Sequence, residues 1–179
     1  MSLYQNKYRN ESARLQGYDY SSEGAYFITI CTKNRNHYFG KIFNSEMILN
    51  DIGIIAEEIW FEIRIHYPSA ILGAFVIMPN HIHGIIVIDY SVNNPVAVAY
   101  GTGHVPSLAD PSSRRKNTVS NMVGSFKSAV TRRVRLLEPN FNWQTRFYDH
   151  IIRNQDDYER IEQYIKNNPK NWENDTFKS

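Results

Sequence analysis

Two apolar runs, Ala70–Met78 and Ile82–Ile88, follow one another with only the turn pair Pro79-Asn80 and one histidine between them. Proline presets a bent backbone and asparagine tolerates one, so the runs read as two strands joined like a hairpin. A hairpin this apolar needs further strands beside it and a layer to cover it. Upstream, Tyr26–Thr32 is β-branched and aromatic and predicts a buried strand. Cys31 lies inside that run as a small hydrophobe; as the single cysteine of the chain it has no internal disulfide partner, which suits a reducing compartment. Tyr38–Phe43 predicts a short return strand and Phe147–Arg153 another.

Three segments carry helical periodicity. Over 47–67, Ile48, Ile52, Ile55, Ile59 and Ile63 recur at three- and four-residue steps, opposite an acidic face of Asp51, Glu57, Glu58 and Glu62, and Pro68 ends the run. Over 119–137, Val119, Met122, Val123, Phe126, Val130 and Val134 form one stripe. Over 155–168, Asn154 suits an N-cap, Asp156 and Asp157 suit the positive helix end, and Pro169 stops the helix. The order of strand, helix, strand, strand, helix, strand and helix predicts an α+β, ferredoxin-like (RRM-like) fold. It has an antiparallel sheet, helices packed on one face and a C-terminal helix. The 179 residues suit one domain and exclude a full (β/α)₈ barrel of roughly 250. Residues 1–25 read as an irregular N-terminal segment and 89–118 as a long mobile loop. The N-terminus lacks the apolar core of a signal peptide, and no apolar stretch approaches the roughly 20 residues of a membrane span, so a soluble, cytoplasmic protein is expected.

Three patterns point to chemistry. His81 and His83 stand two apart in a strand, which puts both imidazoles on one face, close enough to share a divalent cation. Two histidines on a solvated face would look the same. In the last helix, Tyr164 falls about 60° from Ile161 around the axis, at the edge of the buried face, and Asn168 lies one turn further along nearly the same line. Together they can bring a nucleophile and a metal ligand to one point; an interfacial tyrosine and a terminal asparagine are the plainer reading. The third pattern is charge. The chain as a whole is nearly neutral, 20 Lys plus Arg against 18 Asp plus Glu, yet 114–135 carries Arg114, Arg115, Lys116, Lys127, Arg132, Arg133 and Arg135 and no acid. Such a face can hold a phosphate backbone. Phosphoester chemistry unites the three: a cation polarises the phosphate, a tyrosine hydroxyl attacks it, and basic residues hold the strand.

MPNHIHGIIVI resembles the HUH signature of single-tyrosine HUH transposases, a group of insertion-sequence transposases. With RLQGYDYSSEGAYFITICTKN before it, and VGSFKSAVTRRV and NWQTRFYDHIIRNQDDYERIEQYIKNNPKNW after it, the chain resembles the REP-associated tyrosine transposases over most of its length. That resemblance implies single-stranded or hairpin DNA as partner and a divalent metal, Mg²⁺ or Mn²⁺, held by His81, His83 and Asn168. It implies Tyr164, in QYIKNNP, as the nucleophile, ahead of Tyr158 on the buried side of the same helix. Strands would be cut and rejoined through a 5′-phosphotyrosine, with a 3′-OH released. Arg9 and Arg14 would add to the DNA grip; Tyr18, Tyr20 and Trp143 are stacking candidates, with a core or surface packing role as the plainer reading; His150 is either a neighbour of the site or a structural residue. A non-catalytic nucleic-acid-binding relic and a water-using phosphodiesterase remain alternatives, and both a monomer and a homodimer are open.

Overall fold

The computed structural model describes residues 3–4, 7–8, 18–92 and 117–178. Its centre is a four-stranded antiparallel sheet of β3 (Gly24–Cys31), β6 (Ala70–Met78), β7 (His81–Ile88) and β8 (Tyr148–Ile152), ordered β6-β7-β3-β8. Helix α1 (Asp51–His66) links β3 to β6, α2 (Val119–Val134) precedes β8, and α3 (Gln155–Asn167) follows it. This is the ferredoxin-like order expected of the sequence. Leu3–Tyr4 (β1) and Lys7–Tyr8 (β2) pair with each other inside the segment expected to be irregular.

The period of two along the strands sorts side chains onto two faces. Tyr26, Ile28, Ile30, Ile82 and Ile86 point to one face, where Trp60 and Ile63 of α1 and Met122, Phe126 and Val130 of α2 close a core with them. Phe27, Ile85, Val76 and Val87 point to the other and meet Ile161 and Ile165 of α3. The tyrosine-bearing helix therefore packs on the opposite side of the sheet from α1 and α2. Asn154 caps it as expected, its Oδ1 accepting from Asp157 N at 2.8 Å.

Two boundaries differ from the sequence reading. The helix expected to begin at Met47 begins at Asp51, because Asn44 and Ser45 both take positive φ (51° and 63°) and fold 40–49 into a tight hairpin of β4 (Gly40–Phe43) and β5 (Glu46–Leu49). Tyr38–Phe43 thus returns against the next strand and not against β3. Ile48, in step with the helical isoleucines by coincidence, is 47% exposed on β5. Asn50 starts the helix, its Oδ1 accepting from Gly53 N at 3.0 Å. In the expected 89–118 loop, 93–116 lie outside the described residues.

β7 and α1 meet at one tight point. Gly84, between Ile82 and Ile86 on the main-core face of β7, lies under the Trp60 indole, which stacks on Phe75 at 4.6 Å and meets Phe126 edge-on at 5.6 Å. A Cβ on Gly84 would stand 2.4 and 2.6 Å from indole ring carbons. Gly84→Ala is expected to lower stability by about 1–3 kcal/mol through overpacking; a urea melt with an unchanged midpoint would show that Trp60 has room to retreat.

Candidate active site

β7 starts immediately after the Pro79-Asn80 turn, so its first and third residues, His81 and His83, point to the α3 face side by side, ring centroids 4.5 Å apart. Both are fully buried. Cross-strand pairing puts Thr29 opposite His83, and the Thr29 hydroxyl bonds His83 Nδ1 at 2.8 Å. His81 Nδ1 donates to Asn80 Oδ1 at 2.8 Å. Asn80 Oδ1 can only accept, and its Nδ2 donates to the carbonyls of Phe177 (2.9 Å) and Arg35 (3.2 Å), so His81 carries its proton on Nδ1. The Nε2 atoms of the two rings are left facing the space beneath α3.

α3 crosses that space. The Tyr164 hydroxyl bonds His83 Nε2 at 3.2 Å, and Phe27 packs beside both, stacked on His83 at 5.3 Å and edge-on to Tyr164 at 6.1 Å. One turn later Asn168 is buried, 2% exposed, as the helix's final cap. Its Oδ1 and His81 Nε2 are both buried without a hydrogen-bond partner. Two orphaned acceptors at one point are costly unless something occupies them, and a cation is the ligand that suits lone pairs. Tyr158, the competitor, sits away from this cluster with its hydroxyl against Gly73 of β6.

The C-terminal tail adds residues that periodicity could not reveal. Asp175 Oδ2 stands 3.8 Å from His81 Nε2, too far for a hydrogen bond, and the ligand atoms of His81, His83 and Asp175 lie within 4.8 Å of one another. The Phe177 ring roofs both imidazoles, 5.0 Å from His81 and 5.6 Å from His83, with the Arg35 guanidinium 4.5 Å above it. Asn80 therefore does two jobs through one amide: Oδ1 orients His81 and Nδ2 seats the tail.

Burial sets the electrostatics. Desolvation, then repulsion from His83 and Arg35, lowers His81 to about 2, with Asn168 pulling the other way. Desolvation alone lowers His83 to about 3. Both are neutral at pH 7, as ligands must be. Desolvation, helped by the Asp175 charge, raises Tyr164, and the Asn168 amide opposes this.

The other expected residues are dispersed. Lys127 turns inward, its Nζ donating to Gln144 O at 2.6 Å. Arg133 is held by Glu58 at 2.8 Å and lies 3.7 Å from Glu62, both on α1. Arg132 is exposed on α2, across the sheet from the histidines. Arg9, Arg14, Arg114, Arg115 and Lys116 lie outside the described residues. Tyr18 and Tyr20 cluster around buried Tyr26, and Trp143 packs on Phe39, Phe126 and Phe141, so all three serve the main core. His150 is exposed on β8, with Nε2 2.8 Å from Asp157 Oδ2.

No family model matches the chain. An uncharacterised protein of Haemophilus influenzae (strain KW20/Rd) is 40% identical over 169 residues, spanning 94% of this chain and 92% of the relative. Among solved structures, a REP-associated tyrosine transposase bound to a REP hairpin superposes with a TM-score of 0.55 at 20% identity, over 96% of this chain and 74% of that one. The two share a fold. A Deinococcus radiodurans R1 structure matches more loosely, with a TM-score of 0.46 at 17% identity over 86% of this chain and 95% of its own.

Buried neutral histidines make stability depend on pH. In the unfolded chain each takes a proton near pH 6.5, whereas the folded pair resists until about 3 and 2. The unfolded state binds the extra protons, so stability is full above 6.5 and falls as pH drops below it. For chelator-treated protein the two groups together are expected to cost about 2 kcal/mol between pH 6.5 and 5.5, and His83→Gln should halve that slope in urea melts across the range.

Proposed function

We propose that this chain, which belongs to one family with the Haemophilus influenzae protein and has the fold of a REP-associated tyrosine transposase, is a metal-dependent single-strand DNA endonuclease and strand transferase acting from Tyr164. The observation that carries the reading is the meeting of five groups from three parts of the chain. The Tyr164 hydroxyl sits on His83 Nε2, beside the unpartnered His81 Nε2 and Asn168 Oδ1, with the Asp175 carboxylate closing the cluster. The fold similarity supports a transposase-like activity.

His81, His83 and Asp175, with Asn168, would hold a divalent cation, and a mixed nitrogen and oxygen set of this kind is open to Mn²⁺ or Mg²⁺. When bound, such an ion polarises a non-bridging phosphate oxygen and stabilises the charge of the transition state. Thr29 and Asn80 orient the two imidazoles from behind, as partners of ligating histidines do. Phe177 and Phe27 keep water from them. Tyr164, 40% exposed, is the open side of the cluster. Its oxygen attacks phosphorus in line; the new bond is a 5′-phosphotyrosine, the broken one releases a 3′-OH, and return of a 3′-OH reseals a strand without an external energy source. Hairpin-forming repeats are the proposed substrates. Arg132, together with Arg114, Arg115, Lys116, Arg9 and Arg14, is proposed to contact backbone phosphates in the cytoplasm, with Lys127 and Arg133 serving internal contacts instead.

Single-stranded DNA carrying a hairpin repeat, incubated with the protein and Mn²⁺, is expected to give a denaturation-resistant adduct that EDTA abolishes. Tyr164→Phe should remove the adduct while leaving DNA binding intact; an adduct that persists would move the nucleophile elsewhere, and free 5′-phosphate without adduct would point to water. Asp175→Asn should raise the Mn²⁺ concentration needed for half-maximal adduct at least about tenfold, and an unchanged requirement would remove Asp175 from the ligand set.

A further inference from the structure

α3 packs mainly on β6 and β7, with Phe27 of β3 and Ile152 of β8 joining its apolar cluster, and leaves Tyr148 and His150 of β8 exposed on the same face. Two rows of cross-strand partners run onto that strip. His83, Thr29 and Tyr148 form one, and Ile85, Phe27 and His150 the other. Partners directly opposite share a face, so Tyr148 and His150 stand on the same surface as the histidine pair. Tyr148 lies two strand spacings from His83, about 10 Å. Tyr148 is 57% exposed, on the edge strand of the sheet, and among the described residues no aromatic contact ties it to the core.

The strip begins at Tyr164, the open member of the candidate site, and is bordered by cations. Arg146 and Arg153 flank β8, both exposed, and Arg160 lies on α3 one turn before Tyr164. Arg160 and His150 both bind Asp157, so the first turn of α3 is tied to the strip's far edge and the distance between helix and edge strand is held. An exposed aromatic ring on a sheet face, bordered by guanidinium groups, is the chemistry that stacks an unpaired base while its backbone runs past positive charge.

Resting on the function proposed above, we infer that Tyr148 is a stacking platform for a base next to the scissile phosphate, and that the β3–β8 strip is the path of the single strand leaving Tyr164. Tyr148 is a positioning residue: it holds the neighbouring nucleotide and so places the phosphate at the histidines. A nucleotide one step along the strand from that phosphate lies at the reach that separates Tyr148 from His83.

The test uses the full chain and two fluorescein-labelled 20-mers, dT20 and an abasic strand with the same backbone. Tyr148→Ala is expected to weaken dT20 binding about 10- to 100-fold, the range seen for losing one stacked base, with an unchanged salt slope. Tyr148→Phe, which keeps the ring, should stay within about twofold of wild type. On the abasic strand wild type and Tyr148→Ala should bind alike, because no base remains to stack. Thermal melts of both variants should match wild type, the side chain being exposed. If wild type binds dT20 and Tyr148→Ala binds it equally, the platform is wrong and the nuclease reading stands. If wild type binds neither strand, both fall. A Tyr148→Ala loss equally large on the abasic strand, or a change of oligomeric state in place of affinity, would also overturn the assignment.

Discussion

The register between β3 and β7 is the constraint on which the rest hangs. Eight consecutive pairs, from Gly24 with Ile88 to Cys31 with His81, place Thr29 against His83 and Ile28 against Gly84. A slip of one residue would turn every side chain of β7 to the other face, sending both histidines into the main core. Gly84 guards against that slip, since the indole of Trp60 fits over a residue without a side chain and over neither neighbour. The hydrogen bond between Thr29 and His83 then fixes on one face what Trp60 fixes on the other.

Onto this frame the chain adds two supports from far along its length. α3 brings Tyr164 and Asn168 because Ile161 and Ile165 bury against Ile85 of β7, one residue beyond Gly84. The tail brings Asp175 and Phe177 because two donors, the Asn80 amide and the Arg35 guanidinium, bind the Phe177 carbonyl. Asn80 is thus bonded to the turn, to the imidazole beside it and to the end of the chain. The result is a buried pocket in which the His81 imidazole and the Asn168 amide oxygen keep lone pairs unspent, while the second imidazole holds the Tyr164 hydroxyl.

The central features were legible because they follow backbone periods. A spacing of two placed His81 and His83 together, and a spacing of four aligned Tyr164 with Asn168; the strands, the two amphipathic helices and the Asn154 cap followed from pattern alone. What escaped was set by contacts without a period. Asp175 and Phe177 belong to an irregular segment whose path depends on carbonyl-to-amide bonds, so nothing around them in the sequence announces a site. Ile48 kept helical step while lying in a hairpin, because the positive-φ turn at Asn44 and Ser45 outweighed the stripe. Lys127 read as part of a basic face, but its long stem carries the ammonium back to a backbone carbonyl. Tyr148 looked like any strand aromatic; which face it took depended on the β3–β8 register.

The sheet is one residue thick, and its two surfaces answer to different demands. One is packed with large apolar side chains under α1 and α2 and secures folding; the other carries the two imidazoles and receives a phenol and an amide from α3. Substitutions in the folding half need not reach the chemistry, and substitutions among the groups of the other face need not loosen the main core. Gly84 is the exception. Squeezed between Trp60 and the strand that bears both histidines, it is where the two halves of the protein are not free to evolve apart.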